Sequence, residues 1–262
     1  TYQWQSSPDN IAFTDIGGAT NYSYTTSQTT STYYRVVLTC TNGGSFSSNS
    51  NSVLVTTPAL VSGTFTINSA VPTGGTNFQT FADAVSYMAC GIGGPIVFDV
   101  AAGSGPYNEQ VLIPAIAGAS STNTITFNGN GATIQFEPTT ANRYLIRLDG
   151  SDWVRINNLN LVTLSGSIYG WGVHLTNGAD NNVIDNNTIN ISTVTSTTES
   201  NSGGIVVSGS TTSTTTAGSA SNNRISNNTI IGGYKGISIY GATTAINAVA
   251  DSIINNTIQD FY

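Results

Sequence analysis

The chain has 262 residues and a net charge of −7; 39% of the residues are apolar and only 7% are charged. This apolar content is ample for a buried core, while Ser, Thr, Asn and Gly take the surface positions that charges usually hold. The six basic residues form no cluster that would neutralise phosphates, and no apolar run is long enough for a membrane span. We therefore expect no nucleic-acid partner and no membrane insertion.

Short strand-like bursts, separated by Gly, Asn and Ser turns, fill residues 1–57. This spacing is typical of an all-β sandwich. The predicted strands are Tyr2–Gln5, Tyr22–Thr26, Tyr33–Cys40 and Ser52–Val55. Trp4 in an early strand, followed by a strand with Tyr33, Tyr34 and Cys40, resembles the immunoglobulin-like repeats of large bacterial surface proteins. The strands that precede the Trp strand in that pattern are missing, so the resemblance implies a partial immunoglobulin-like β-sandwich.

A connector at 58–75 and an amphipathic helix at 76–91 come next. Thr76 and Gln79 have the spacing of a capping box, and Gly91 supplies a left-handed stop. One face of this helix carries Phe78, Phe81, Ala82, Val85 and Met88. We expect it to cover the apolar cross-section at the start of the strand array that follows; the alternative is a surface helix packed on the sandwich.

Residues 92–262 carry an internal repeat, Ile-x-Asn-Asn-x-Ile, which is typical of stacked coils. Aligning its copies places one asparagine at each of Asn158, Asn186, Asn227 and Asn255. The steps between them are 28, 41 and 28 residues, and the long step contains Thr211–Ala220, which we interpret as an outward loop inserted into one coil. We predict that each asparagine forms a left-handed bend and that their amides form a ladder along the stack. The Asn-Asn-Thr triplets also fit N-glycosylation acceptors, but their fixed period favours the structural role.

A second repeat begins at Gly172, Gly204 and Gly236, 32 residues apart each time. Each glycine opens a strand of the form Gly-x-x-x, whose alternation sends residues such as Val173 and Leu175 into the core. Together the two repeats resemble the right-handed parallel β-helix of pectate-lyase-like proteins. The resemblance implies an all-β parallel β-helix, often a polysaccharide lyase or glycoside hydrolase with clustered carboxylates on the outer side of one sheet.

The outward positions of this second strand give the candidate site. One column is Arg147, His174, Val206 and Ser238, and the next is Asp149, Thr176, Ser208 and Tyr240. Only Arg147, Asp149 and His174 offer chemistry there, which is one carboxylate where glycoside hydrolysis needs two.

Other chemical groups add little to this cluster. Asp152, Asp180 and Asp185 map to turns or to another strand, and an Asp149–Asp152 loop offers too few oxygens for a calcium cage. We therefore predict no catalytic residue, metal or cofactor, with Arg147, Asp149 and His174 as the catalytic alternative and Ca²⁺ as the only ion considered. Trp171, Tyr234 and Tyr240 fit packing better than sugar stacking.

The segment from Asn77 to Val100, the immunoglobulin-like strands and the Asn/Thr-rich coils together resemble surface proteins of Bacteroidota. That resemblance implies export by the type 9 secretion system, an extracellular or cell-surface location, and the secretion machinery as a partner in transit. We predict a non-enzymatic adhesin or surface-structural region, whose β-helix continues past residue 262 and acts as a stalk or as a broad face for surface glycans or proteins. The alternative is a carbohydrate-active β-helix, a lyase or hydrolase, with part of its site outside this sequence.

Overall fold

A computed structural model describes residues 1–41, 44–57, 59–241 and 248–261. The chain separates into two compact units, unit 1 from Thr1 to Ala59 and unit 2 from Leu60 to Tyr262. Pro58, the first residue of the predicted connector, and Tyr262, the last of the predicted β-helix, lie outside the described residues.

Unit 1 contains one antiparallel sheet in the order β2-β1-β3-β4, with β5 also paired to β3. Its strands are β1 (Tyr2–Ser7), β2 (Thr14–Asp15), β3 (Thr32–Cys40), β4 (Phe46–Asn49) and β5 (Val53–Val55). No second sheet is seen among the described residues of unit 1, so the predicted sandwich is present as a single layer. The predicted strand at Tyr22–Thr26 is wrong, because Tyr24 packs its ring against Trp4 and Tyr34 and the segment joins no ladder.

Unit 2 is a parallel β-solenoid of the right-handed type with about seven turns and little helix. Its first elements are β6 (Val61–Ile67), β7 (Asn77–Phe78), α1 (Phe81–Tyr87), β8 (Ile92–Val100), β9 (Tyr107–Asn108), β10 (Val111–Pro114), β11 (Ile125–Asn128), β12 (Thr133–Phe136) and β13 (Tyr144–Asp149). The remaining ones are β14 (Val154–Asn157), β15 (Asn160–Thr163), β16 (Gly170–Thr176), β17 (Val183–Asp185), β18 (Thr188–Asn190), β19 (Ser202–Val207), β20 (Arg224–Ser226), β21 (Thr229–Ile231), β22 (Lys235–Ile239), β23 (Ser252–Ile254) and β24 (Thr257–Gln259).

Three parallel sheets run along unit 2. Sheet I has the order β23-β20-β17-β14-β11-β8-β6-β7, sheet II the order β24-β21-β18-β15-β12-β9, and sheet III the order β10-β13-β16-β19-β22. From β8 to β22 the chain visits sheets I, II and III in turn, so each of these coils adds one strand to each sheet. The core is the column of inward Ile, Val, Leu and Phe side chains between them. The predicted repeat is confirmed, since Ile156, Ile184, Ile225 and Ile253 are successive partners in sheet I.

The solenoid begins earlier than the repeats indicate. Strand β6 lies inside the predicted connector 58–75, yet it pairs in parallel with β8, with Phe65 opposite Phe98 and Ile67 opposite Val100. Phe65 and Ile67 are buried in the core. The connector prediction is therefore wrong for Val61–Ile67, because this first strand lacks the asparagine signature of the later coils.

Helix α1 is shorter than the predicted helix at 76–91. Thr80 is its N-cap, and the Thr80 side chain accepts a 3.0 Å hydrogen bond from the backbone N–H of Asp83. The capping box predicted at Thr76 and Gln79 is wrong, because the backbone at Asn77 and Phe78 is instead held as β7 against β6.

A carboxylate from the next coil completes the start of α1. The two oxygens of Glu109 accept 3.0 Å hydrogen bonds from the backbone N–H groups of Phe81 and Ala82. Burial raises the pKa of Glu109 and the two hydrogen bonds oppose the rise. The helix buries Phe81 and Ala84 in the core, so the inward alanine is Ala84 rather than Ala82.

The four asparagines predicted as a ladder form only the bends. Asn158, Asn186, Asn227 and Asn255 have φ of 52°, 55°, 57° and 53°, which confirms the left-handed backbone, and all four are exposed. The ladder prediction is wrong because a residue at the outer edge of this bend points its side chain to solvent. The residue after it points inward instead.

The amide ladder belongs to Asn187, Asn228 and Asn256. Asn187 donates from Nδ2 to Oδ1 of Asn228, and Asn228 donates in the same way to Asn256, at 3.0 Å in each case. The same Oδ1 atoms accept the backbone N–H of the preceding coil. Because Asn187 and Asn228 are buried, their amides satisfy backbone groups that water does not reach.

The glycine repeat has a steric cause. A Cβ on Gly172 would press on Ile189 and lie 2.6 Å from the carbonyl oxygen of Gly204. On Gly204 it would press on Ile230 and lie 2.5 Å from the carbonyl oxygen of Gly236. Glycine therefore lies near the start of β16, β19 and β22 because the neighbouring coil leaves no room for a side chain.

Candidate functional site

The outer face of sheet III brings the sequence-predicted site residues onto neighbouring strands. Arg147 and Asp149 of β13 lie opposite His174 and Thr176 of β16. Val206 follows His174 in register, and Ser238 follows Val206. The strand register agrees with the first predicted column from Arg147 to Ser238 and with the step from Asp149 to Thr176 in the second, and Arg147 and His174 are neighbours.

Arg147 and Asp149 form a partly exposed ion pair. Nη2 of Arg147 lies 2.9 Å from Oδ2 of Asp149, and their side chains are 13% and 27% exposed. The guanidinium also lies over the ring of Tyr144, 4.8 Å from its centroid, and Asn177 donates a 2.6 Å hydrogen bond to Asp149. The Nε of Arg147 is buried without a hydrogen-bond partner. The Arg147 side chain thus borders solvent, while its Nε is a buried donor that makes no hydrogen bond.

His174 is fully buried, so the prediction of an exposed outward histidine is wrong. Its Nε2 lies 3.1 Å from the carbonyl oxygen of Ser208. Because a carbonyl oxygen only accepts, Nε2 carries the proton, and the lone pair of Nδ1 has no hydrogen-bond partner. Burial lowers the pKa of His174 to about 4; the Ser208 hydrogen bond and Asp149 oppose this, and Arg147 adds to it. The imidazole is therefore neutral near pH 7.

Trp171 packs on His174 and is itself held by the segments that follow on the chain. Trp171 packs edge-on to the imidazole, with ring centroids 4.9 Å apart, and its Nε1 donates to the carbonyl oxygen of Ser200. Ser200 in turn accepts a hydrogen bond from the backbone N–H of Thr214, which is fully buried within the inserted loop. The loop predicted to project outward at Thr211–Ala220 instead folds back beside the outer face of sheet III. The packing interpretation of Trp171 is confirmed.

The other carboxylates hold turns together. Asp152 accepts a 2.8 Å hydrogen bond from the backbone N–H of Asp180, and Asp180 accepts one of 2.7 Å from that of Ser221. Burial raises the pKa of Asp180, repulsion from Asp152 adds to the rise, and the Ser221 hydrogen bond opposes it. Asp185 is bonded by Ser226 and Asn227. These aspartates hydrogen-bond to neighbouring coils and have no contact with Arg147 among those described.

No group of three or more His, Cys, Asp or Glu side chains in the described ranges is arranged to hold a metal ion. Asp149 is committed to Arg147 and Asn177, and Asp152 to the turn at Asp180. Within those ranges no helix is both long and apolar enough to cross a bilayer. Cys40 and Cys90 are both free and exposed.

Three participants were beyond the reach of the sequence. The Arg147 guanidinium lies over the ring of Tyr144. Simple alternation from Arg147 would turn Tyr144 inward, but the alternation is interrupted at Leu145, which has no partner in the pairing of β13 with β16. Asn177 reaches Asp149 from the following coil. Trp171 packs on His174 and is held by the Ser200 carbonyl in a loop, and the sequence repeats do not predict where that loop lies.

Comparison with known proteins gives two findings. A family described as a domain of unknown function (DUF8696) matches residues 1–59. Among solved structures, the chain is similar to an alginate lyase from Paenibacillus sp. str. FPU-7, with 16% identity and a TM-score of 0.39. The match covers 76% of this chain and 65% of the lyase chain, so this chain spans less than two thirds of it. No curated protein matches the chain.

The β-solenoid fold of unit 2 is shown by its own three parallel sheets, and one functional prediction is corrected. A non-enzymatic adhesin or surface-structural region was expected; the solved structure found is that of an alginate lyase, and the prediction is replaced by its carbohydrate-active alternative, which stands as a proposal. At this TM-score the likeness says nothing about which residues act in this chain.

Proposed function

We propose that the chain is a carbohydrate-active β-helix of the polysaccharide-lyase type, which cleaves a uronate-containing chain by elimination at Arg147 and His174. The observation that carries this proposal is the neutral imidazole of His174 with its unpaired Nδ1, on the residue that is the register partner of Arg147 in the neighbouring strand. A proton acceptor next to a carboxylate-binding cation is the pair of groups that elimination from a uronate requires.

Arg147 supplies the charge in this scheme. Its guanidinium exchanges part of the contact with Asp149 for the uronate carboxylate, which makes the proton on the adjacent C5 more acidic. Asn177 and Asp149 hold the guanidinium in place, and Tyr144 supports it from below. Arg143, Arg147 and Lys235, half of the six basic residues, belong to or border sheet III, which favours an anionic substrate on this side of an acidic protein.

His174 supplies the base. Its Nδ1 removes the C5 proton, the C4–O bond breaks as the C4=C5 double bond forms, and the departing oxygen takes a proton from water. The lowered pKa keeps the imidazole unprotonated at neutral pH, so the base is in the required form before substrate arrives. Since His174 is buried, the groups that contact its ring, Trp171 and the Ser208 carbonyl, must shift to admit the sugar.

Hydrolysis fits these residues less well than elimination. A glycoside hydrolase needs two carboxylates about 5–10 Å apart, one of them a proton donor. Asp149 is the single carboxylate of the cluster and is paired with Arg147. The acids with raised pKa values, Glu109, Asp180 and Asp251, all accept hydrogen bonds from backbone N–H groups, at the start of α1 or in the turns.

The test is an elimination assay on the whole chain with alginate, polygalacturonate and glycosaminoglycan, following the ultraviolet absorbance of the new C4=C5 double bond. Arg147→Ala should lower kcat/KM by about a hundredfold or more, and Arg147→Lys should recover part of the loss. His174→Gln should lower kcat more than it changes KM. Arg224→Ala, an exposed arginine on sheet I, is the matched control and should be unchanged. Absence of a double bond on every polyuronate, or full activity of Arg147→Ala, would refute the proposal.

The finer sequence predictions remain proposals beside this one. An extracellular location and export from a Bacteroidota cell are supported by the charge-poor, Ser/Thr/Asn-rich surface. An immunoglobulin-like character of unit 1 is supported by the antiparallel pairing of β1, which carries Trp4, with β3, which carries Tyr34. Closure of the first coil by α1 is supported by the burial of Phe81 and Met88 in the core. Fractionation of the native cells would test the location.

A further inference from the structure

Unit 1 contains a cavity of about 660 Å³ on one face of its sheet. Trp4 on β1 and Tyr34 on β3 point to this face, and Tyr24 lies across them from the segment that forms no strand. The ring centroids of Trp4 and Tyr24 are 6.1 Å apart, and those of Tyr24 and Tyr34 are 6.2 Å apart. Three aromatic rings therefore make a continuous, half-buried apolar wall.

Uncommitted polar groups border this wall. Gln28 donates from Nε2 to the carbonyl oxygen of Val55, but its Oε1 is buried without a partner. The side chains of Thr25 and Asn51 also line the cavity and are exposed. The cavity thus combines flat apolar faces with amide and hydroxyl groups, as small-molecule sites do.

The cavity carries no free charge. Arg35 is the only charged residue that lines it, and its guanidinium points to the other face of the sheet. There the guanidinium lies 3.9 Å from the centre of the Phe13 ring, and Nε donates a 2.7 Å hydrogen bond to Gln5. A charged ligand would find no partner in this wall, which favours a neutral one.

We propose that this cavity is a binding site for a neutral sugar, one or a few pyranose rings of an uncharged oligosaccharide. The C–H faces of a pyranose stack on Trp4, Tyr24 and Tyr34, and its hydroxyls bond the amides of Gln28 and Asn51. A volume near 660 Å³ lies within the usual range for such ligands. The proposal does not depend on the chemistry proposed for sheet III, because every residue that carries it belongs to unit 1.

The experiment uses the whole chain and neutral oligosaccharides of the gluco-, xylo-, manno- and galacto- series, with calorimetry for affinity. Tyr24→Ala should weaken binding about tenfold or more, because one stacking face is lost. The matched control is Tyr22→Ala in the same segment, whose ring is 81% exposed and does not line the cavity. This variant should bind as the native chain does.

A second readout is independent of whether Tyr24→Ala folds. The Nε1–H of Trp4 donates to the carbonyl oxygen of Asn21, so its NMR signal reports on this wall. Binding should shift the Trp4 indole signal and leave those of Trp153 and Trp171 unchanged. Failure of every neutral oligosaccharide to bind at millimolar concentration, equal loss of affinity in Tyr22→Ala, or preference for charged sugars would overturn the proposal.

Discussion

The buried ladder predicts that Asn228→Ala destabilises the solenoid strongly, whereas a change at its exposed neighbour does not. The Asn228 Oδ1 accepts 3.0 Å hydrogen bonds from the backbone N–H and the Nδ2 of Asn187. Its Nδ2 donates to the carbonyl oxygen of Ile184 at 2.9 Å and to Asn256 at 3.0 Å. Alanine removes all of these bonds at a site that water does not reach.

The magnitude follows from the groups left behind. The backbone N–H of Asn187 loses its acceptor, and each buried polar group without a partner costs about 1–3 kcal/mol. Asn187 keeps its own bond from Nδ2 to the carbonyl oxygen of Ile156, so the loss is local to two coils. We expect Asn228→Ala to lower the free energy of unfolding by about 2–4 kcal/mol.

The assay is urea unfolding followed by circular dichroism, with Asn227→Gly as the control. Asn227 is exposed and has a φ of 57°, which glycine adopts without strain, so this change should cost less than about 1 kcal/mol. Equal effects of the two variants, or a larger effect at Asn227, would show that the ladder is wrongly assigned.

Three further predictions concern the coil stack and its ends. Gly204→Ala should destabilise unit 2 by about 1–3 kcal/mol in the same assay, since the new Cβ would press on Ile230; no loss would contradict the steric account. Glu109→Ala should cost about 1–3 kcal/mol because two backbone N–H groups of α1 lose their acceptor, and a neutral result would count against that cap. For His174, burial lowers the pKa from 6.5 to about 4, so the unfolded chain binds the proton first as pH falls. Stability should therefore drop by about 3 kcal/mol more in the native chain than in His174→Gln between pH 7 and pH 4, and equal pH profiles would refute this.

Periodicity in the sequence was sufficient for most of unit 2. The steps between inward isoleucines predicted the pairing of Ile156, Ile184 and Ile225, because a one-residue slip would turn each of them to solvent. The same register placed Arg147 beside His174. Strand β6 was missed because Asn68, which follows its inward residues Phe65 and Ile67, is followed by Ser69 and not by the second asparagine of the repeat.

Features set by tertiary contacts were out of reach. The burial of His174 depends on the path of the inserted loop through Thr214, and nothing in a run of Thr and Ser fixes that path. Helix α1 begins at Phe81 because Glu109 from the next coil caps it, a contact across 28 residues. In the ladder the choice between Asn227 and Asn228 depends on which side of the bend faces the core, which sequence spacing alone leaves open.

The most direct test of the proposed function is the mass of the products released from a polyuronate by the native chain. Elimination at Arg147 and His174 predicts oligosaccharides with an unsaturated non-reducing end, each one water molecule lighter than the hydrolysis product of the same length. Products of the heavier, saturated mass would contradict the account and move the chemistry to a pair of carboxylates, and release of no products from any polyuronate would contradict it outright.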